Sequence, residues 1–230
     1  VRVAALYDIH GMVQALDAVL AEPDVESVDA IVIGGDVAAG PFPHETLERL
    51  RALGDRALWV RGNADRDVDH GGPWVRDRLT GDEVAFLAGL PEGQTLGRVL
   101  FCHATPRSDE EILTEISPDE AWRDALAGVD ASVVVAGHTH MQLDRRFGDV
   151  RYVNAGSVGM PYEGEVAAFW TLLDDDEPTF RKTPFDVERT AHDMRASGWP
   201  AADEFVAENL LAAPSRRDAY ELFEGWRRGE

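Results

Sequence analysis

Ser132-Val133-Val134-Val135-Ala136-Gly137-His138-Thr139-His140 decides how this chain reads. Its first half is a short apolar run rich in β-branched residues, as a buried strand requires, and its second half is a turn carrying two imidazoles. Four other runs end the same way. Val1 to Leu6 leads through Tyr7 to Asp8 and His10; Ala30 to Ile33 leads to Gly34-Gly35-Asp36; Ala57 to Val60 leads to Gly62-Asn63; and Val99 to Cys102 leads to His103. Between the first two runs, Met12, Val13, Leu16, Val19 and Leu20 keep helical spacing until Pro23, which predicts a crossover helix. A second helix is expected from Pro43 to Gly54, burying Leu47, Leu50 and Leu53. Thr80 with Glu83, and Ser117 with Glu120, read as capping boxes opening two more, with Pro118 in the first position and Gly128 as the stop of the latter. The N-terminal part is therefore α/β. In such open sheets ligands bind beyond the carboxyl ends of the strands, so the five polar tips can converge on one crevice.

From Met141 the period changes to two, with strands expected at Met141 to Phe147, Val150 to Asn154, Val166 to Leu173 and Thr179 to Thr183. These predict a second, more antiparallel sheet. Helices follow at Asp186 to Ser197, Ala201 to Leu211 and Ser215 to Trp226, broken by Pro200 and Pro214. Their aromatic and leucine stripes, among them Phe205, Leu210, Tyr220 and Phe223, are expected to pack on the chain's own core, with a dimer face or a lid as alternatives. The organisation expected is a main domain over residues 1–185 with a helical extension over 186–230 packed on it.

The 230 residues are 44% hydrophobic and 28% charged, with no apolar stretch near the ~20 residues of a membrane-spanning helix. No secretory leader is visible, and a single cysteine, Cys102, excludes an internal disulfide, so a cytoplasmic location is expected. The net charge of -21, from 43 acidic against 22 basic residues, argues against a nucleic-acid polymer as partner and reads mainly as solubility.

Asp8, His10, Asp36, Asn63, His103, His138 and His140 make two carboxylates, four imidazoles and one amide. This N/O set without thiolate suits Mn, Fe, Co, Ni or Zn. Seven donors exceed the needs of one ion, whereas two ions sharing a carboxylate would use them all; such pairs, about 3.5 to 4 Å apart, are the usual clamp for phosphoryl displacement. Two divalent ions, two carboxylates and a hydroxide sum to a small positive charge, which attracts a phosphate ester despite the acidic exterior.

Asp8-Ile9-His10-Gly11, Gly35-Asp36, Gly62-Asn63, His103 and Gly137-His138-Thr139-His140, followed by Asn154-Ala155-Gly156-Ser157, resemble in order and placement the calcineurin-like metallophosphoesterase superfamily, especially its small bacterial phosphodiesterase branch. The resemblance covers about residues 2–184. It implies a four-layer αββα sandwich of two mixed sheets, with Asp8, His10 and His140 on a first metal, Asp36 bridging, and Asn63, His103 and His138 on a second. Manganese is the favoured ion, and Asp36, Asn63 and His103 are the catalytic candidates. The implied chemistry is in-line attack on phosphorus by a hydroxide between the metals.

One position departs from the family pattern. The residue after the motif asparagine, often a histidine that protonates the leaving oxygen, is Ala64. Loss of a general acid removes about 10² to 10⁴ in rate for poor leaving groups, so small phosphodiesters, perhaps nucleotide-derived, become the expected substrates. A phosphomonoesterase and a non-catalytic, metal-stabilised binding scaffold are the alternatives. His44 and His70 are candidate replacement acids, each weighed against an ordinary surface histidine. Gly11 and Arg107 are candidate substrate contacts, Arg107 weighed against a loop salt bridge. Asp65 reads either as a partner that orients Asn63 or a ligand histidine or as a helix cap, and Cys102 as a small core hydrophobe. A homo-oligomer is left open.

Overall fold

Ten strands form two five-stranded sheets in the computed structural model, which describes residues 1–229. In chain order they are β1 (Arg2–Leu6), β2 (Ala30–Ile33), β3 (Ala57–Trp59), β4 (Gly93–Leu96), β5 (Val99–Cys102), β6 (Val133–Ala136), β7 (Leu143–Phe147), β8 (Val150–Asn154), β9 (Ala168–Asp174) and β10 (Glu177–Thr183). The helices are α1 (Val13–Leu20), α2 (Pro23–Glu26), α3 (Pro43–Arg51), α4 (Asn63–Arg66), α5 (Gly72–Arg78), α6 (Gly81–Ala88), α7 (Asp119–Ala125), α8 (Val187–Ser197), α9 (Ala202–Phe205) and α10 (Arg216–Arg228). The first sheet has the order β10-β9-β1-β2-β3 and the second β4-β5-β6-β8-β7. Each has a parallel centre, β1-β2-β3 in one and β5-β6-β8 in the other, flanked by antiparallel strands.

The sheets face each other because their central strands are apolar on both sides. Val3, Ala5 and Tyr7 from the first sheet meet Phe101, Val133, Val135 and Val153 from the second, forming the inter-sheet core. The Tyr7 hydroxyl donates to the Val135 carbonyl at 2.9 Å, tying the two sheets near the tips that carry the site. The alternate residues Ala4, Leu6, Ile31 and Ile33 point outward and are covered by Leu16 and Val19 of α1, Leu47 and Leu50 of α3, and Ala191 and Met194 of α8. On the far side, Cys102, Val134, Ala136 and Tyr152 pack under Trp122 and Ala125 of α7. This is an αββα sandwich. Cys102 lies in that outer core, where burial pushes its thiol up to about 12 and leaves it unreactive.

The division of strands differs from the sequence expectation. The second sheet does not begin at Met141, because β5 and β6 already belong to it, while β9 and β10 return to the first sheet beside β1. Periodicity reports which faces are buried but not which strand is the neighbour, and pairing over 160 residues leaves no local signal. β4 is absent from the sequence reading because Gly93-Gln94-Thr95-Leu96 is largely polar; it forms by pairing with β5. The Thr80–Glu83 capping box at α6 forms as expected. The Ser117 box does not: α7 starts at Asp119, and the Ser117 hydroxyl donates instead to Glu224 of α10. The helix expected over 201–211 is the short α9 followed by a wider turn over Val206–Leu210. Among the described residues no helix is long and apolar enough to cross a membrane.

Candidate metal centre

Each ligand candidate sits just past a strand that aims it. Asp8 and His10 follow β1, Asp36 follows β2, Asn63 opens α4 after β3, His103 follows β5, and His138 and His140 follow β6. Parallel strands deliver all these tips to the same edge of the sandwich. The backbone there is unusual: Asp8, His10, Asp36, His138 and His140 have φ of 52, 49, 51, 68 and 58°, the left-handed region that costs ordinary residues energy. The reversal lets a strand end in a side chain that points along the sheet edge instead of to one face.

Three imidazoles are wired alike. The Nδ1 of His10 lies 3.2 Å from the Ala39 carbonyl, that of His103 2.8 Å from the Gly34 carbonyl, and that of His140 2.7 Å from the Met160 carbonyl. A carbonyl only accepts, so each Nδ1 carries the proton and each Nε2 is left for a ligand. The Nε2 atoms meet the carboxylates. His140 Nε2 is 3.4 Å from Asp8 Oδ1, His103 Nε2 is 3.6 Å from Asp36 Oδ1, and His10 Nε2 is 3.9 Å from Asp36 Oδ2. Asn63 Oδ1 joins at 3.1 Å from His103 Nε2, and the His138 ring stands 5.3 Å from the His103 ring.

Two features fit cations in this cluster. Asp8 Oδ1 is buried with no hydrogen-bond partner, whereas Oδ2 accepts the His138 amide at 2.8 Å. A buried carboxylate oxygen with no donor is costly unless a cation faces it. His10 and His140 also turn their Nε2 atoms toward each other at 3.2 Å, two lone pairs that a shared cation would reconcile. Two overlapping groups have donor atoms close enough to hold an ion, Asp8-His10-His140 and Asp8-Asp36-His103.

Without ions, protons stand in for part of that charge. Burial works against a charged His103, yet Asp36 and Asp8 outweigh it and push the ring up to about 10. Asp36 is correspondingly held well below the usual carboxylate range, its burial overcome by His103, His10 and His138. Burial and the His103 charge bring His138 down to about 4, and burial and His140 lower His10, so both are neutral and able to act as ligands near pH 7.

Asp65 supports this arrangement. Its Oδ2 accepts the amides of Asp36 (2.8 Å) and Gly62 (2.9 Å), and its Oδ1 accepts that of Val37 (2.9 Å), so one carboxylate clamps the β2 and β3 tips. The Gly62 bond is also the cap of α4, the helix-cap reading of Asp65; its carboxylate meets backbone amides and not the Asn63 or histidine side chains. Burial and the Asp36 charge raise it to about 7, against the pull of these amides. Gly35 makes the close approach possible: with φ of +97°, any Cβ there would stand 2.5 Å from Gly62 N and 2.7 Å from His103 Nδ1. The Asn154–Gly159 turn also backs the site, Ser157 Oγ donating to the Asp8 carbonyl at 2.7 Å.

The substrate-contact candidates lie apart from the ligand cluster in their bonding. His44 Nδ1 is 2.8 Å from Glu83 Oε1, joining α3 to α6. His70 is half-exposed, its Nδ1 3.1 Å from the Asp67 carbonyl. Arg107 makes the loop salt bridge, with Nε 2.9 Å from Glu111 Oε2 and Nη1 3.0 Å from the Asp124 carbonyl. It also lines, with Glu92, Thr105 and Asp109, a hollow of about 130 Å³ beside His103. Gly11 acts through its backbone, its amide donating to Val37 O at 2.9 Å. The Ala64 amide donates to Asp36 Oδ1 at 2.8 Å, and its methyl supplies no acid. Sequence reasoning missed Tyr162, whose ring stacks on His140 at 5.1 Å and 19°. No periodicity or motif marks it.

A family model described as the calcineurin-like phosphoesterase superfamily domain matches residues 1–176. The chain belongs to the calcineurin-like phosphoesterase superfamily. Membership makes it a metal-dependent phosphoesterase of the hydrolase class, which the buried His/Asp clusters fit. Within the superfamily it is 28% identical over 245 residues to an uncharacterised protein of Methanocaldococcus jannaschii, covering 91% of this chain and 93% of that one. It is 26% identical over 185 residues to the phosphodiesterase YfcE of Escherichia coli, covering 74% and 85%. A crystal structure of a metallophosphoesterase from Sphaerobacter thermophilus superposes with a TM-score of 0.78 at 24% identity, covering 93% of this chain and all of that one.

Proposed function

We propose that this chain is a two-metal phosphodiesterase acting on small phosphodiesters. The observation that carries the reading is the position of Asp36, whose two oxygens look to different imidazoles, Oδ1 to His103 and Oδ2 to His10. Asp36 would then be the shared carboxylate, with Asp8, whose Oδ1 lies 3.4 Å from His140 Nε2 and 3.8 Å from His103 Nε2, close to both sites. Asp8, His10 and His140 would complete one site, and Asn63, His103 and His138 the other. The N/O donor set favours manganese, with iron, cobalt, nickel or zinc as alternatives. Bound there, the cations supply Lewis-acid stabilisation of the phosphoryl oxygens and acidify water at neutral pH.

The chain's own residues do the rest. The three carbonyl-bound Nδ1 atoms fix the imidazole tautomers before substrate arrives, and the Asp65 clamp holds the Asp36 and Asn63 loops at a set spacing. Ala64 leaves the leaving-group side without a proton donor at that position, which favours diesters and esters whose leaving group needs little protonation. The relation to the E. coli phosphodiesterase supports the same choice, and the charge of -21 disfavours a polymeric nucleic acid.

The test is hydrolysis of an aryl phosphodiester and an aryl phosphomonoester with Mn²⁺, with and without chelator, by the wild type and Asp36→Ala. Metal-dependent turnover of the diester that Asp36→Ala abolishes is expected. Turnover of the monoester alone would overturn the diester assignment, and no metal-dependent turnover of either would favour a binding scaffold.

A further inference from the structure

His140 differs from the other ligand histidines in what stands behind it. The Met160 carbonyl fixes its tautomer, the Tyr162 ring lies flat against its imidazole, and the Tyr162 amide donates to the His140 carbonyl at 3.3 Å. All three contacts come from the segment 160–164, Met160-Pro161-Tyr162-Glu163-Gly164, which has no helix or strand of its own. An irregular segment holds a ring plane only if something else holds the segment.

That support is α10, some 40 residues beyond the end of the family match at residue 176. Phe223 sits 5.8 Å from the Tyr162 ring at a tilt of 51°, in a small apolar cluster with Met141 and Ala219. Arg216 Nη1 donates to Glu163 Oε2 at 2.7 Å and to the Gln142 carbonyl at 3.0 Å, and Glu163 Oε1 accepts the Gln142 amide at 2.6 Å. Arg216 thereby joins the 160–164 segment, which lies between β8 and β9, to the residue two beyond His140. The Gly164 amide donates to the Pro214 carbonyl at 2.8 Å, just before the helix. At its other end α10 is anchored by the buried Glu224, which accepts Thr114 Oγ1 at 2.7 Å and the Ser117 hydroxyl.

We propose that α10 is the buttress of one metal site: Tyr162, clamped by Phe223 and by the Arg216–Glu163 pair, is a positioning residue that sets the His140 ring plane and tautomer. The C-terminal helix is thus part of the metal machinery and not only a cover for the core. This rests on the two-metal reading for its metal arm, but its first readout does not.

The experiment uses the full chain with ¹⁵N-labelled histidine, metal-free and at one pH for all variants. His140 signals are assigned with His140→Gln. Wild type and Tyr162→Phe, which keeps the stacked ring, are expected to show His140 as a single tautomer protonated at Nδ1. Tyr162→Ala and Arg216→Gln should show a tautomer mixture. Circular dichroism checks that each variant folds; Arg216→Gln leaves the apolar core intact and keeps the test valid if Tyr162→Ala does not fold. Mn²⁺ titration, with the two steps assigned by His140→Gln and His103→Gln, should show the His140 step weakened about tenfold or more and the His103 step unchanged, the size typical when a ligand loses its outer support. A single unaltered His140 tautomer in folded Tyr162→Ala and Arg216→Gln would overturn the proposal, and so would equal weakening of both steps. A wild type that takes up no Mn²⁺ would overturn the two-metal reading, while the tautomer result would still decide the role of α10.

Discussion

Replacing Gly35 by alanine tests whether the approach of the β2 and β3 tips is as tight as the geometry requires. A Cβ at this position would stand 2.5 Å from Gly62 N, 2.7 Å from Gly62 Cα and 2.7 Å from His103 Nδ1, on a backbone with φ of +97°. None of these neighbours can swing away. Gly62 is tied to Asp65, and the His103 ring is fully buried against the Gly34 carbonyl. The torsion costs an L residue about 1–3 kcal/mol, and forcing a methyl into a filled space costs about 1–3 kcal/mol more. At roughly 2–4 °C per kcal/mol for a chain of this size, the melting temperature should fall on the order of 10 °C. Gly54→Ala is the matched control: its φ is +58°, but nothing lies within 4 Å of the added Cβ. It should lose only about 1 kcal/mol. Thermal melts of both variants without metal, followed by Mn²⁺ titration, separate the torsional from the steric part. Equal melting of the two variants, with Mn²⁺ uptake by Gly35→Ala like that of wild type, would refute the crowding argument.

Asp65→Ala would strip three buried amides of their acceptor, each worth about 1–3 kcal/mol when left unsatisfied; a melting temperature lowered by about 10 °C or more and weakened Mn²⁺ binding are expected by calorimetry. Chelation should itself lower the melting point of the loaded protein, because ions at about a hundred times their dissociation constant add about 2.7 kcal/mol to the native state; scanning calorimetry with and without EDTA checks this. Glu224 gives a pH dependence. Its burial works against the charged form, but Ser117, Thr114 and Arg227 hold its pKa below the ordinary value. A depressed folded pKa contributes stability above the unfolded value of about 4.5, lost as the pH falls below it. Urea melts between pH 6 and 3.5 should show that loss in wild type and a flatter profile in Glu224→Gln.

The polar strand ends and their order were legible because each ligand follows directly on an apolar run, and a strand tip is a local feature. β2 and β5 have the bounds that their apolar runs give. What stayed hidden depends on contacts distant in sequence. The partition of strands between sheets follows from β9 pairing with β1, Arg2 lying opposite Asp174. Ser117 is spelled like a helix cap, yet its hydroxyl is taken by Glu224, 107 residues away. Arg107 and His44 looked available to a substrate because nothing local marks Glu111 and Glu83 as their partners among the many acids of the chain. Tyr162 could not be found at all, since nothing in Met160-Pro161-Tyr162-Glu163-Gly164 announces which side chain its ring will cover.

The left-handed torsions at Asp8, His10, Asp36, His138 and His140 bear on attempts to transplant such a centre. Copying seven side chains onto the strand ends of another sandwich would leave them splayed over the two faces of its sheets. The portable unit is the set of strand-end corners, together with the glycine gaps and carbonyl rests that accompany those torsions. A designer would have to import backbone first and chemistry second.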